Sequence, residues 1–82
     1  MASPEELNQA HFAGSAIAAF QLAQFAFAAL VRNGIVPKAD GERMLRQAIA
    51  ANETGGPGNR AAAVMLGEVL QRLLAYQPPS RQ

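Results

Sequence analysis

From Phe12 to Val31 the chain carries no Asp, Glu, Lys or Arg, and its apolar side chains point all round rather than to one side. This stretch lies inside what reads as a single helix from about Pro4 to Asn33. At 1.5 Å per residue such a helix runs roughly 45 Å. A compact chain of 82 residues has a radius of gyration of only about 12 Å. The helix therefore presents more apolar surface than the rest of the chain can cover. The simplest remedy is a second copy of the same molecule.

The helix has legible ends. Ser3-Pro4-Glu5-Glu6 fits a capping box, with Ser3 as N-cap, Pro4 at the first helical position and Glu6 three residues after the cap. The two carboxylates suit the positive end of the helix dipole. Asn33-Gly34 supplies a left-handed stop, Ile35 is placed to fold back on Leu30, and Arg32 suits the last turn. Gly14-Ser15 is the weak point at which the helix would kink or split.

Two shorter helices come after it. The second is expected over residues 37–52, with Pro37 at its first position or with Asp40 as a later N-cap. Met44, Leu45, Ala48 and Ile49 share one side, and Glu42 and Arg46 form an i,i+4 pair on the other. Glu53 to Gly58 breaks the pattern and reads as a connector. The third helix is expected over residues 60–76 with Asn59 as N-cap. Met65, Leu66, Val69, Leu70, Leu73 and Tyr76 form its apolar arc. The fold class is therefore all-α: one small three-helix domain over residues 1–76 with a flexible tail at 77–82, paired into a dimeric helical bundle. No strand pattern and no internal repeat occurs.

Two stripes of the first helix have the 4-3-4-3-4 spacing of packed helices. Ala13, Ile17, Phe20, Gln24, Phe27 and Val31 are bulky and suit the intramolecular core. Phe12, Ala16, Ala19, Ala23, Ala26 and Leu30 are small in the middle and bulky at the ends, which lets another helix approach closely. Leu22 and Phe25 lie beyond the reach of two covering helices. The candidate interface is thus Phe12, Ala16, Ala19, Leu22, Ala23, Phe25, Ala26 and Leu30. The expected partner is a second copy, and the alternative is another protein's helix or a hydrophobic ligand on the same face.

The residues exclude much chemistry. No cysteine is present, so disulfides, thiolate metal sites and thiol nucleophiles are ruled out. His11 is the only histidine and has no second ligand at metal-binding spacing. The carboxylates are scattered and no serine or threonine stands near a base, so no catalytic site and no cofactor is expected. Seven basic against six acidic residues leave no basic patch for nucleic acid. Gly55, Gly56, Gly58, Asn59 and Arg60 are candidates for anion contact, because glycines open backbone amides and a helix start adds positive potential. They do not match the phosphate-loop pattern.

Phe12–Val31 has the length of a membrane span. Its eight Phe, Leu, Ile and Val residues contribute roughly −2 to −5 kcal/mol towards insertion. Gln21 and Gln24 near the middle oppose it. The residues before the apolar run are Pro4, Glu5 and Glu6, not the positive lead of a secretory signal. A soluble, cytoplasmic, non-enzymatic interaction protein is expected. Arg outnumbers Lys six to one, which fits the coding bias of a GC-rich bacterial genome.

Overall fold

The structure, a computed structural model, describes residues 2–79. It consists of α1 (Pro4–Arg32), α2 (Lys38–Glu53) and α3 (Pro57–Ala75), with no strand among the described residues. The all-α, three-helix architecture expected from the sequence is what the chain adopts. Of the expected tail at 77–82, residues 80–82 lie outside the described residues.

Helix α1 begins as its first four residues dictate. Ser3 has extended backbone angles, and its Oγ accepts a hydrogen bond from the Glu6 N–H at 3.1 Å. Pro4 occupies the first turn, where its missing N–H costs nothing. The helix then runs without a break through Gly14-Ser15 to Arg32. It ends in a Schellman turn: Gly34 takes φ +74°, its N–H donates to the Val31 carbonyl at 3.0 Å, and the Ile35 N–H donates to the Leu30 carbonyl at 2.9 Å. Only glycine enters that left-handed region without penalty, so Gly34 sets the end point. The Ile35 side chain stays 70% exposed, so the expected cover of Leu30 is not made by burial.

The starts of α2 and α3 differ from expectation, and proline is the reason in each case. Pro37 is the residue flanking α2 rather than its first member, with ψ 144°. Pro57 opens α3 three residues before the expected start at Arg60, with Gly56 as N-cap. At Pro57 a φ preset near the helical value starts the helix ahead of the Asn59 side chain, whereas Pro37, with its extended ψ, stays outside the helix it precedes. Asp40 sits inside α2 and pairs with Arg43 at 2.9 Å, while Glu42 and Arg46 pair at 3.0 Å. Both pairs are exposed and contribute little beyond local helix support.

Helices α2 and α3 pack together as an antiparallel hairpin. Its core is Leu45 from α2 with Ala63, Val69, Leu70 and Leu73 from α3, joined by Val31 from α1. Ile49, Leu66 and Tyr76 pack against this cluster, as do Phe20 and Phe27 from α1. Met44, expected on the inner side of α2, is 51% exposed. No large side chain among the described residues is completely shielded from water.

Two contacts hold the open end of the hairpin. Gly41 is buried, and a β-carbon there would lie 3.0 Å from Phe27 Cζ and 3.3 Å from Leu73 Cδ2. The missing side chain is what lets the Phe27 ring reach the seam between α2 and α3. Lys38 Nζ donates to the Tyr76 carbonyl at 2.7 Å and to the Leu74 carbonyl at 3.2 Å. These carbonyls lie at the C-terminal end of α3, where backbone acceptors lack helical partners and a cation meets the negative end of the dipole.

Only the last part of α1 takes part in this core. Every residue from Pro4 to Ala19 is exposed. The molecule measures 60 × 27 × 17 Å, with a radius of gyration of 16.0 Å, against about 12 Å for a compact chain of its length. The expected core stripe is therefore cut short: Ala13 and Ile17 are exposed, and the stripe is covered from Phe20 onward. The physical reason is length. A hairpin of helices of 16 and 19 residues reaches roughly 24–28 Å and meets α1 at one end.

Gly41→Val is expected to push Phe27 off the hairpin and lower stability in urea unfolding by about 1–3 kcal/mol, the usual cost of overpacking. Lys38→Met is expected to lose about 1–2 kcal/mol, because it strips a charged donor from two helix-terminal carbonyls. Unchanged unfolding midpoints would contradict these roles.

Candidate functional site: the uncovered side of helix α1

The candidate interface residues share one property in the structure: all eight are exposed. Phe12 is 74% exposed, Leu22 71% and Phe25 69%. The core draws on Phe20, Phe27 and Val31, with Gln24 half-buried beside them. Successive residues turn by about 100° around a helix, so Ala19, Leu22, Phe25 and Ala26 fall on the half of α1 turned away from that core, and Phe12, Ala16, Ala23 and Leu30 lie along its flank.

Exposure goes beyond those eight. Leu7 is 60% exposed and Ile17 55%. The bulky side chains Leu7, Phe12, Ile17 and Leu22 recur every five residues, and each step of five rotates the side chain by about 140°. Bulky apolar side chains therefore project from several sides of α1, among the polar side chains of Asn8, Gln9, His11 and Ser15. The stripe pattern does not single out Leu7, and it places Ile17 in the core. Helix lengths carry the signal for both, since α2 and α3 are too short to reach them.

A groove of about 280 Å³ runs between α1 and α3. Phe25, Phe27, Val31, Val69 and Leu73 give it apolar walls, with Tyr76 at its end. Arg32 and Arg72 also line it. Arg32 makes a long hydrogen bond from Nε to the Ala28 carbonyl at 3.4 Å. Among the described residues neither guanidinium has a carboxylate partner, since both ion pairs lie within α2. Sequence spacing alone does not show this groove, because it is formed by residues some forty positions apart that only the turn of the chain brings together.

The glycine-rich connector is covered only at Gly55; residues 56–60 are exposed. Gly58, Asn59 and Arg60 belong to the first turn of α3. The Arg60 N–H already donates to the Gly56 carbonyl at 3.0 Å, and the Gly55 N–H donates to the Asn52 carbonyl at 3.2 Å. Pro57 has no N–H to offer. The Asn59 side chain lies so close over Gly55 that a β-carbon there would be 2.6 Å from it. The amides of Gly55 and Arg60 are thus spent, while those of Gly56, Gly58 and Asn59 have no backbone acceptor among the described residues, and the segment forms a tight helix-to-helix turn.

His11 is exposed and stands edge-on to Phe12, with ring centroids 6.4 Å apart. No group of three or more metal-ligating side chains occurs among the described residues. Comparison of the chain with protein-family models, with curated proteins and with solved structures finds no match.

A lone helix of this length in water is marginal even when rich in alanine. When the chain is monomeric, amides between Leu7 and Ala19 are expected to exchange rapidly with solvent, while those of the α2–α3 hairpin stay protected. Strong protection of the free half in a verified monomer would contradict the view that it needs a cover.

Proposed function

We propose that this protein is a soluble, cytoplasmic, non-enzymatic interaction domain that associates with a second copy through α1. The observation that carries the reading is the complete exposure of α1 from Pro4 to Ala19, with Leu22 and Phe25 also bare beyond it. The exposed fractions of Leu7, Phe12, Ile17, Leu22 and Phe25 amount to on the order of 600 Å² of apolar side chain per copy, taking roughly 200 Å² for a whole aromatic or large aliphatic residue. These side chains project from several sides of the helix, so one partner helix covers only part of that area. Exposed apolar side chains at this density mark a contact surface rather than ordinary protein exterior.

By length and composition α1 also qualifies as a membrane span. Two features favour the soluble reading. Phe20, Phe27 and Val31 are engaged with the hairpin, so the length of α1 that is clear of it all round is Leu7 to Ala19. That is about 20 Å of helix, against a hydrocarbon core of about 30 Å. Gln21 and Gln24 add two amides that lipid leaves unsatisfied.

A second reading has its own support in the groove between α1 and α3. Apolar walls with two unpaired guanidinium groups suit a small amphipathic anion.

Molar mass across a dilution series tests the first reading, with a concentration-dependent dimer as the expected result. Ala23→Glu is expected to give a monomer that keeps its hairpin, because Ala23 is exposed in the single chain and a carboxylate is costly only once covered. A stable Ala23→Glu dimer would move the interface elsewhere. For the groove, an anionic naphthalene dye is expected to brighten on binding and to lose affinity several-fold in Arg72→Gln. Binding indifferent to that substitution would dismiss the anion site.

A further inference from the structure

The groove between α1 and α3 is basic at one end and apolar along the rest of its walls. Arg32 stands in the last turn of α1 and Arg72 in the last turn of α3. Both helices finish beside the start of α2, since Lys38 opens α2 shortly after Arg32 and holds the Tyr76 carbonyl at the end of α3. The two arginines therefore share that end. Phe25, Phe27 and Val69 wall the part farther from it, and the Gln24 amide stands where the apolar run stops. Among the described residues no Asp or Glu lines the groove. Glu68, one turn before Arg72 on the same helix, is not among the residues that form ion pairs.

We propose that this groove takes a single-chain carboxylate, a medium-chain fatty acid of about ten carbons, with its headgroup at Arg32 and Arg72 and its chain lying along α1 towards Gln24. This rests on the amphipathic-anion reading given above and names the ligand class. Size sets the chain. The groove residues of α1 run from Gln24 to Arg32, about 12 Å along the axis. Spread over that length, 280 Å³ leaves a cross-section of about 23 Å², the width of one methylene chain. A cavity of about 150 Å³ holds the ring of benzene, so one of 280 Å³ takes on the order of ten carbons.

Charge sets the headgroup. Two guanidinium groups with no carboxylate partner suit an oxyanion, which they meet as planar forks. The Arg32 bond to the Ala28 carbonyl is long, at 3.4 Å, so little is lost when that guanidinium turns to a ligand. The same end of the groove holds the C-terminal ends of α1 and α3, the negative ends of two helix dipoles. It does not offer the free amides by which a helix start holds phosphate. One negative charge is therefore a better match there than two, which favours a carboxylate over a phosphate ester.

Calorimetric titration of the whole chain with hexanoate, octanoate, decanoate and tetradecanoate, each below its micelle concentration, tests the assignment. The expected result is one molecule bound per chain, with affinity rising about two- to fourfold per added carbon up to decanoate and levelling off beyond it. Decanol, with the same chain and no charge, is expected to bind about tenfold more weakly than decanoate. Arg32→Gln and Arg72→Gln replace exposed residues and are expected to keep the helix content by circular dichroism. Each should weaken decanoate several-fold and leave decanol unchanged. Equal affinity for decanoate and decanol, or indifference to both substitutions, would overturn the headgroup assignment. Affinity that climbs without a break through tetradecanoate would put the chain on the bare face of α1 and overturn its place in the groove. An anionic naphthalene dye that binds with Arg72 dependence while decanoate does not would overturn the fatty acid and leave the anion site intact. Failure of both dye and fatty acids to bind would overturn the anion site itself.

Discussion

The structure depends on a mismatch of lengths. One helix of 29 residues is served by a hairpin whose helices have 16 and 19. Apolar side chains gain free energy only in proportion to the surface they take out of water, and a short hairpin can do that for only one end of a long rod. The chain is therefore divided into a compact part and a bare part. The bare part stays helical through its capped start and its alanines, with no tertiary contact to support it.

The join between the two parts is narrow. Phe27 reaches the seam of the hairpin because Gly41 has no side chain, and Lys38 holds the end of α3 by its last carbonyls. The Lys38 bonds close the hairpin itself, and the Phe27 contact at Gly41 helps set which side of the rod faces outward. The side left outward carries Ala19, Leu22 and Ala26, with Phe12 and Leu30 at its margin. The groove on the α3 side, with Arg32 and Arg72, is a second consequence of the same join.

Much of the fold was legible in local chemistry. The cap at Ser3, the stop at Gly34, the Glu42–Arg46 pair and the inward set Leu45, Val69, Leu70 and Leu73 obey rules that act within a few residues. The misjudged boundaries, at Pro37 and Pro57, were also local, and the preset proline backbone decided them against a side-chain cap at Asn59. Periodicity failed at Ile17 and Ala13, where spacing promised a core that the hairpin does not reach. The eight candidate interface residues were read from surplus apolar surface, and the fold leaves all of them bare.

By itself the sequence determined that the chain is all-helical, where its long helix begins and ends, that it lacks the cysteines for disulfide, thiolate-metal or thiol chemistry, and that it carries more apolar surface than it can hide. Those are matters of composition and of spacing along one helix. Only the tertiary structure decided how far along α1 the cover extends, that Gly41 admits Phe27 to the seam while Lys38 closes the hairpin, and that Arg32 and Arg72 share one groove. These depend on contacts between residues tens of positions apart, and helical periodicity holds no information about where one helix stops alongside another.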